Sequence, residues 1–264
     1  MRRSQFYNLN DRTLISVSGR DASKFLQNLV TNDLGGASPS IRYSALLTPQ
    51  GKYLFDFFII KKAEDFFLID ISSGSSDDFL LRLKLYKLRS DVSLELIEAK
   101  VCIGFSEKPT DAFVDPRCEQ LGWRQYYLNN LIPRDSIDFK REAYDKLRVK
   151  YCIPETNIEL IRDKTFILEA GFDRLSGVSF TKGCYVGQEV TARMRHKTEL
   201  QKGLVKVRII GNTDGLCESI LSEDRVVGTL FTRVKDLGIA HIKFKHESSP
   251  LKVGNAELKF IKRF

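Results

Sequence analysis

The chain has 264 residues, of which 42% are hydrophobic and 29% are charged. This composition is that of a globular protein and excludes general disorder, and the length leaves room for two or three domains. Lys and Arg number 42 against 34 acids, and this positive excess favours an anionic partner: nucleic acid, an acidic membrane surface or a polyanionic small ligand.

The longest apolar stretch, residues 53–60, is interrupted by Asp56 and is far shorter than the roughly 18 residues of a membrane span, so we expect no membrane partner. The basic N-terminus leads into no apolar stretch, which argues against a secretory signal. Five cysteines without a CxxC pair, and three histidines without an HExxH motif, indicate a reducing compartment and no dedicated metal site. Together these features predict a cytoplasmic protein.

The first hundred residues predict strands and helices in the order β-α-β-β-β-α-β. Alternating apolar residues indicate the strands, helical spacing indicates the helices, and Pro49-Gln50-Gly51 indicates a hairpin turn. This order, with hairpins and few crossovers, is typical of an α+β fold and not of a doubly wound parallel sheet. The predicted strands are residues 13–18, 41–48, 53–61, 65–71 and 92–97, and the predicted helices are residues 22–30 and 79–89.

The second part of the chain is less regular. Residues 100–135 predict short strands and loops, residues 136–151 a helix, and residues 158–196 loops with a helix. From Gly203 onward, short β-type runs separated by Gly, Asn, Asp and Pro predict a small antiparallel barrel or sandwich. We therefore expect three units: residues 1–100, residues 101–200 and residues 201–264.

The most distinctive local pattern is KGCYVGQE, residues 182–189. Its two glycines allow a tight turn or the close approach of a ligand. Lys182, two residues before Cys184, would lower the pKa of that thiol and increase its thiolate character. The alternative is a structural turn around a small buried cysteine, and the spacing alone does not decide between the two.

Two further features lie on either side of this motif. Glu169 is the one carboxylate in the apolar run FILEAGF, where it could accept paired N–H donors from a heterocycle such as a pterin, cap a helix or pair with an arginine. Residues 191–208 hold six cations against Glu199 alone. Such a segment is either a solvated basic face, a site for an anionic tail or a contact for RNA, although no RNA-binding motif accompanies it.

The motif KGCYVGQE, with GVSF before it and EVTARMRH after it, resembles the signature of the YgfZ family. These are folate-binding proteins related to the glycine-cleavage T-protein, an aminomethyltransferase. The stretches VSGRDASKFLQNLVTNDL and YSALLTPQGKYLFDFFII resemble the opening of the same superfamily, and LRVKYCIPE and the C-terminal β segment fit it as well. The resemblance thus covers nearly the whole chain.

The resemblance implies three subdomains in a ring around a central channel for tetrahydrofolate, with a C-terminal antiparallel β-barrel. It also implies a role in the assembly or maintenance of iron–sulfur clusters, with iron–sulfur proteins or their assembly machinery as partners, and through those enzymes in tRNA modification. The motif cysteine corresponds to Cys184 and the pterin-gripping carboxylate to Glu169. The remaining residues that the resemblance places in the site are Lys182, Gly183, Tyr185, Gly187, Gln188, Arg148, Asp56 and, at the channel, Tyr151.

One departure separates the two branches of the superfamily. The T-protein has two adjacent acids where this chain has Phe55-Asp56, and its reaction needs a carboxylate to manage protons at the folate nitrogen. We therefore favour an accessory factor over a glycine-cleavage enzyme. A folate-dependent aminomethyltransferase is the first alternative, and a module that binds tRNA directly is the second.

Overall fold

A computed structural model describes residues 6–128, 141–196, 199–212 and 218–264. The helices of at least six residues are α1 (Ala22–Gln27), α2 (Ser76–Lys87), α3 (Arg141–Tyr151) and α4 (Gln188–His196). The strands are β1 (Phe6–Asn8), β2 (Arg12–Ser18), β3 (Ser40–Leu47), β4 (Tyr53–Ala63), β5 (Phe66–Ser72), β6 (Ser93–Ile97), β7 (Ala99–Gly104), β8 (Phe113–Val114), β9 (Trp123–Leu128), β10 (Lys202–Ile210), β11 (Glu218–Ser222), β12 (Arg225–Val234), β13 (Leu237–Lys243), β14 (Leu251–Val253) and β15 (Ala256–Arg263).

The first sheet has five antiparallel strands in the order β3-β4-β5-β2-β6. Strand β4, the second in this order, is buried from Tyr53 to Lys61, which explains the nearly continuous apolar run in the sequence. Phe55 and Phe57 face helix α2, where their rings contact Phe79, whereas Phe58 packs in the core on the other face. The sheet is therefore covered on both sides, and its inner face meets the rest of the chain.

The second sheet has the order β1-β7-β9-β8, and its edge strand β1 precedes all strands of the first sheet in the sequence. Phe6 pairs with Gly104 and Asn8 with Cys102, so β1 belongs to this sheet although it falls inside the first predicted unit. The three-unit division stays a prediction.

A buried ion pair joins the two sheets. Asp70 on β5 accepts hydrogen bonds from Arg12 Nε on β2 and from Arg124 Nη2 on β9, each at 2.6 Å. The hydroxyl of Tyr126 donates to the same carboxylate at 3.0 Å, and the Arg124 guanidinium lies 4.0 Å from the centre of the Phe58 ring. A buried carboxylate is tolerated only when it is paired in this way. The inner faces of the two sheets therefore pack together around this buried ion pair.

The C-terminal strands close into a barrel in the order β10-β13-β12-β11-β14-β15. Every pairing in it is antiparallel, and alternate residues such as Val205 and Val207 on β10 fill its interior. The expectation of an α+β fold with a C-terminal antiparallel β-barrel is confirmed.

The predicted elements are observed with small shifts at their ends. Helix α1 stops at Gln27 and not at residue 30, because Val30 already bridges to Leu46 of β3. Helix α2 begins three residues earlier than predicted, with Asp77 and Asp78 in its first turn. The prediction missed β1, β11 and β14, and residues 136–140 of the predicted third helix lie outside the described residues. No helix in the described part of the chain is both long and apolar enough to span a membrane.

Candidate functional site

The KGCYVGQE segment forms a loop that ends where α4 begins, at Gln188. Lys182 is nearly buried, and its Nζ donates to the carbonyl oxygens of Gln27, Val30 and Asn32 at 2.6, 2.7 and 2.9 Å. These three bonds use all the donors of the ammonium group. Burial lowers the pKa of the Lys182 side chain to about 8. Lys182 therefore binds backbone at the end of α1 and holds the loop against the first sheet.

Two polar residues that follow α1 hold the same loop from the other side. Thr31 Oγ1 donates to the carbonyl oxygen of Gly177 at 2.7 Å, and Asn32 Nδ2 donates to that of Ser176 at 2.6 Å. The N–H of Ser179 donates in turn to the Thr31 carbonyl oxygen at 3.0 Å. This VTND stretch belongs to the part of the sequence that resembles the superfamily, but the resemblance did not predict these contacts. Two polar residues directly after an amphipathic helix were the available signal.

The two glycines of the motif have different surroundings. Gly187 has a φ of +81°, and a Cβ there would lie 2.6 Å from the carbonyl oxygen of Thr48, so both backbone conformation and packing require glycine. A Cβ at Gly183 would meet nothing within 4 Å, and its φ is not in the left-handed region. Nothing in the described fold requires glycine at position 183.

Cys184 is exposed, whereas Cys102 and Cys152 are buried, and burial raises the pKa of both buried thiols to about 12. Cys118 is half-buried and its thiol donates to Gln120 Oε1 at 2.9 Å. Cys217 lies outside the described residues. Among the cysteines that the structure describes, Cys184 is the one that a reagent or partner reaches freely.

The neighbours of Cys184 complete the loop. Tyr185 is 7% exposed, and the centre of its ring lies 5.2 Å from Lys182 Nζ. Gln188 Nε2 lies 3.5 Å from the carbonyl oxygen of Gly183, at the limit of a hydrogen bond. Lys182 and Tyr185 thus form the inner side of the loop, and Gly183 and Cys184 form its exposed side.

Glu169 lies in a cavity of about 270 Å³ between the 159–170 segment and the barrel. Its Oε2 accepts from His241 Nε2 at 3.3 Å and lies 3.6 Å from Lys202 Nζ. Within the described residues Oε1 has no hydrogen-bond partner. Phe231 adds an aromatic side chain to the lining, and Lys164 adds a second lysine. The sequence did not indicate His241 and Phe231, because they lie on barrel strands. The alternation of apolar and polar residues there predicts a strand and carries no information about a binding site.

Asp56 lies in a second and much smaller cavity of about 30 Å³, which is room for roughly one water molecule. The Asp56 carboxylate accepts from the hydroxyls of Tyr43, Tyr53 and Thr156 at 3.0, 2.7 and 2.6 Å. Phe55, its neighbour, points to the other face of the sheet and packs in the cluster under α2. Asp56 is thus fully engaged in the present arrangement.

Arg148 and Glu159 form the wall between the two cavities. Arg148 lines the Asp56 cavity, Glu159 lines the Glu169 cavity, and Arg148 Nη1 donates to Glu159 Oε2 at 3.2 Å. The guanidinium also donates to the carbonyl oxygen of Ile153 at 2.8 Å and to Thr232 Oγ1 of the barrel at 2.9 Å. The structure therefore places Glu169 and Asp56 in adjacent cavities rather than in one. Tyr151, at the end of α3, is half-buried and lines neither cavity.

The basic segment 191–208 is divided between α4 and β10, and most of its cations have partners. Arg193 pairs with Glu189 at 2.9 Å, Arg195 with Asp173 at 3.2 Å and Arg208 with Asp236 at 3.3 Å. Lys202 lines the Glu169 cavity, and Lys197 lies outside the described residues. These exposed pairs contribute little to stability. Among the described cations of this segment, Lys202 is the one that lines the Glu169 cavity.

Two models of protein families match the chain. The GCVT N-terminal domain matches residues 5–103, and the C-terminal beta-barrel domain of CAF17 matches residues 201–263. The structure is similar to the crystal structure of glycine cleavage system aminomethyltransferase T from Bartonella henselae, with a TM-score of 0.78 and 12% identity over 99% of this chain and 86% of that one. At this identity the likeness shows the fold alone.

Relatives of the chain include proteins named iron–sulfur cluster assembly factor IBA57, mitochondrial. The Mus musculus protein is 28% identical over 97% of this chain and 82% of its own length, and the Homo sapiens protein is 28% identical over 95% and 81%. A Pyricularia oryzae homolog of the same name is 31% identical over 78% of this chain and 56% of its own length. The chain thus spans about half the length of this fungal relative and about four-fifths of the mammalian ones.

The expectation of a cytoplasmic protein is wrong, because the names of these fungal and mammalian relatives all carry the word mitochondrial. Free cysteines favoured a reducing compartment, and this feature does not distinguish one reducing compartment from another. The chain thus matches the GCVT N-terminal domain and the CAF17 C-terminal beta-barrel domain in sequence, and its fold is similar to that of an aminomethyltransferase.

Proposed function

We propose that the protein is a tetrahydrofolate-binding accessory factor in iron–sulfur cluster assembly, with Cys184 as the thiol that meets its partner. The names of its relatives support the assembly role. The observation that carries the role of Cys184 is its exposed thiol, on a loop that Lys182 fixes to the first sheet. Through iron–sulfur enzymes that it serves, the protein would support tRNA modification indirectly.

The surroundings of Cys184 favour a role as an iron ligand over the other roles of a thiol. A nucleophile needs an adjacent base, and a redox thiol needs a second accessible cysteine. Within the described residues, neither a base nor a second cysteine is hydrogen-bonded to Cys184. No group of three or more His, Cys, Asp and Glu side chains in the described part of the chain is placed to hold a metal. Since a cluster is held by about four ligands, Cys184 would supply one, and the partner iron–sulfur protein would supply the others.

The Glu169 cavity fits the pterin ring of tetrahydrofolate. Glu169 offers the free Oε1 to the N–H donors of the ring, and Phe231 offers an apolar surface beside it. Lys202 and Lys164 add positive charge where a glutamate tail would leave. The volume of about 270 Å³ suits a bicyclic ring, and the tail would extend from its open side.

The aminomethyltransferase alternative has weaker support. Asp56 is the acid that remains of the T-protein pair, and its two oxygens already accept three hydroxyl hydrogen bonds in a cavity of about 30 Å³. A carboxylate so engaged is poorly placed to exchange protons with a bound folate.

Tetrahydrofolate titration under anaerobic conditions tests the cofactor. The wild type should bind saturably, and Glu169→Gln should weaken binding about 10- to 100-fold, as expected for the loss of a charge-assisted hydrogen bond. Glu257→Gln, an exposed acid on β15, is the matched control and should bind as the wild type does. Equal affinity of the Glu169→Gln variant and the wild type would place the ring elsewhere.

Complementation tests the thiol. In cells that lack the protein, Cys184→Ala should leave iron–sulfur enzyme activity low, although the variant is folded and keeps tetrahydrofolate binding. Cys118→Ala, which removes a half-buried thiol outside the motif, should restore that activity. Full rescue by Cys184→Ala would remove the thiol from the mechanism and leave the cofactor proposal standing.

A further inference from the structure

The outer surface of α2 carries a stripe of exposed leucines. Leu81, Leu85 and Leu88 are 59%, 62% and 86% exposed, and their spacing of four and three residues places them on one side of the helix and its end. The opposite side buries Phe79 and Leu83 against the first sheet. Single exposed leucines are ordinary, but a stripe of three on one helix is typical of an interaction surface.

The stripe continues into a groove between α1 and the end of α2. This groove has a volume of about 250 Å³, and Phe25, Leu29 and Tyr86 contribute its apolar lining. Ser90 and Asp21 line both the groove and the shallow depression that contains Leu88, so the two are contiguous. We call the leucine stripe and this groove together the α1–α2 face.

Within the described residues, five cations around the α1–α2 face form no ion pair, whereas three of the acids beside it have partners and one exposed acid, Asp77, has none. Asp78 pairs with Arg162 at 2.6 Å, Asp91 lies 3.9 Å from Arg20, and Asp21 accepts the backbone N–H of Asp91 at 2.8 Å. The surface therefore presents positive charge beside exposed apolar side chains. Within the described ranges, the cations of this face that form no ion pair are Lys24, Arg82, Lys84, Lys87 and Arg89.

We propose that the α1–α2 face docks a helix of a partner protein that presents apolar side chains flanked by Asp and Glu. Acidic residues would pair with the free cations, and one apolar side chain would enter the groove while others pack on the leucine stripe. The concave groove favours a protein over an anionic membrane, since membrane-binding helices insert a continuous apolar face. A second copy of the chain is disfavoured because two basic faces repel. This docking requires neither tetrahydrofolate nor Cys184.

A pair of synthetic helical peptides tests the proposal with the full chain. The acidic peptide has leucines at positions i, i+3, i+4 and i+7 with glutamates elsewhere, and the basic peptide has lysines in place of the glutamates. Fluorescence anisotropy should show binding of the acidic peptide, with the basic peptide bound at least about tenfold more weakly. A double variant, Leu85→Ser with Leu88→Ser, should weaken acidic-peptide binding by at least about tenfold, because it removes apolar contact.

Matched substitutions elsewhere on the protein distinguish binding at this face from nonspecific binding. Val226→Ser removes a side chain that is 60% exposed on the barrel, and it should leave binding of the acidic peptide unchanged. Lys84→Glu with Arg89→Glu should reverse the preference between the two peptides, and Lys259→Glu on the barrel should not. Both leucines and both cations are exposed, so these variants are expected to fold.

Three results would overturn the proposal. The first is equal binding, or no binding, of the two peptides. The second is leucine-dependent sedimentation of the wild type with vesicles of phosphatidylcholine and phosphatidylglycerol in equal parts, which would assign the face to a membrane. The third is leucine-dependent self-association in analytical ultracentrifugation, which would assign it to a second copy of the chain.

Discussion

Lys182 Nζ lies 2.7 Å from the carbonyl oxygen of Val30, although 152 residues separate the two in sequence. This hydrogen bond and its two neighbours attach the loop of Cys184 to the end of α1. The lysine that sequence reasoning assigned to the thiol and the cofactor thus has backbone carbonyls as its observed partners. Its contribution to Cys184 is to fix the position of the loop.

Removing this ammonium group should loosen the loop. Lys182→Met leaves three carbonyl oxygens without their donor, so we expect the free energy of unfolding to fall by about 1–3 kcal/mol. Hydrogen–deuterium exchange of residues 179–187 should increase, as measured by mass spectrometry. Lys62→Met, at an exposed lysine, is the control and should change neither quantity. Unchanged exchange in Lys182→Met would mean that the loop is held by Thr31 and Asn32 alone.

The lowered pKa of Lys182 has a consequence for stability against pH. The folded protein releases this proton near pH 8, whereas an unfolded lysine keeps it until about pH 10.4. Between these values the unfolded chain binds more protons, so this group makes the free energy of unfolding rise with pH. Urea denaturation at several pH values in this range should show a steeper rise for the wild type than for Lys182→Met. Parallel pH profiles would contradict the lowered pKa.

The two motif glycines should respond oppositely to a methyl group. Gly187→Ala forces a φ of +81° on alanine and a Cβ contact of 2.6 Å with the Thr48 carbonyl oxygen, so we expect a loss of about 1–3 kcal/mol. Gly183→Ala has open space and ordinary backbone, and its melting temperature should match or exceed that of the wild type. A stable Gly183→Ala protein that fails in complementation would indicate that a partner approaches the backbone at this position.

The ion pair between the sheets should be costly to break from one side. Asp70→Asn removes the counter-ion of Arg12 and leaves Arg124 with the more distant Asp115, at 3.8 Å, so we expect a loss of about 3–5 kcal/mol in urea denaturation. Asp91→Asn, whose side chain is 65% exposed beside Arg20, should cost no more than about 1 kcal/mol. Similar losses in the two variants would show that water enters the core at Asp70.

Alkylation should rank the thiols by burial. Iodoacetamide should label Cys184 in the native protein, whereas Cys152 should react only after denaturation, because it is buried and its pKa is raised to about 12. Mass spectrometry of the two peptides over time gives the rates. Native labelling of Cys152 at the rate of Cys184 would require an opening of the core around α3 that the structure does not contain.

Elements with strong local patterns were predictable from sequence. Strand β4 shows a run of apolar residues because both of its faces are covered, and α2 shows helical spacing because one of its sides is buried. Strands β1 and β14 have three residues each, too few for any period to appear. The pairing of Phe6 with Gly104 depends on the whole fold, so no local pattern could reveal it.

The resemblance proposed a set of site residues, and their arrangement could not be derived from the sequence. It named Glu169 and Asp56 as candidates, but their division between two cavities depends on Arg148 and Glu159, which meet only in the folded chain. His241 lies 72 residues from Glu169 in sequence, on a strand whose pattern reports the barrel interior. Contacts of this kind follow from tertiary packing, and single-sequence periodicity carries no information about them.

The wall between the two cavities also makes them interdependent. Arg148 belongs to α3, and its partners are the carbonyl oxygen of Ile153, Glu155, Glu159 and Thr232, so one guanidinium connects a helix, a loop and the barrel. In a buried setting, charge that enters one cavity is felt across such a pair with little screening. Charge that enters the Glu169 cavity would therefore act on the Glu159–Arg148 pair, and through Arg148 on the contact between α3 and Thr232 of the barrel.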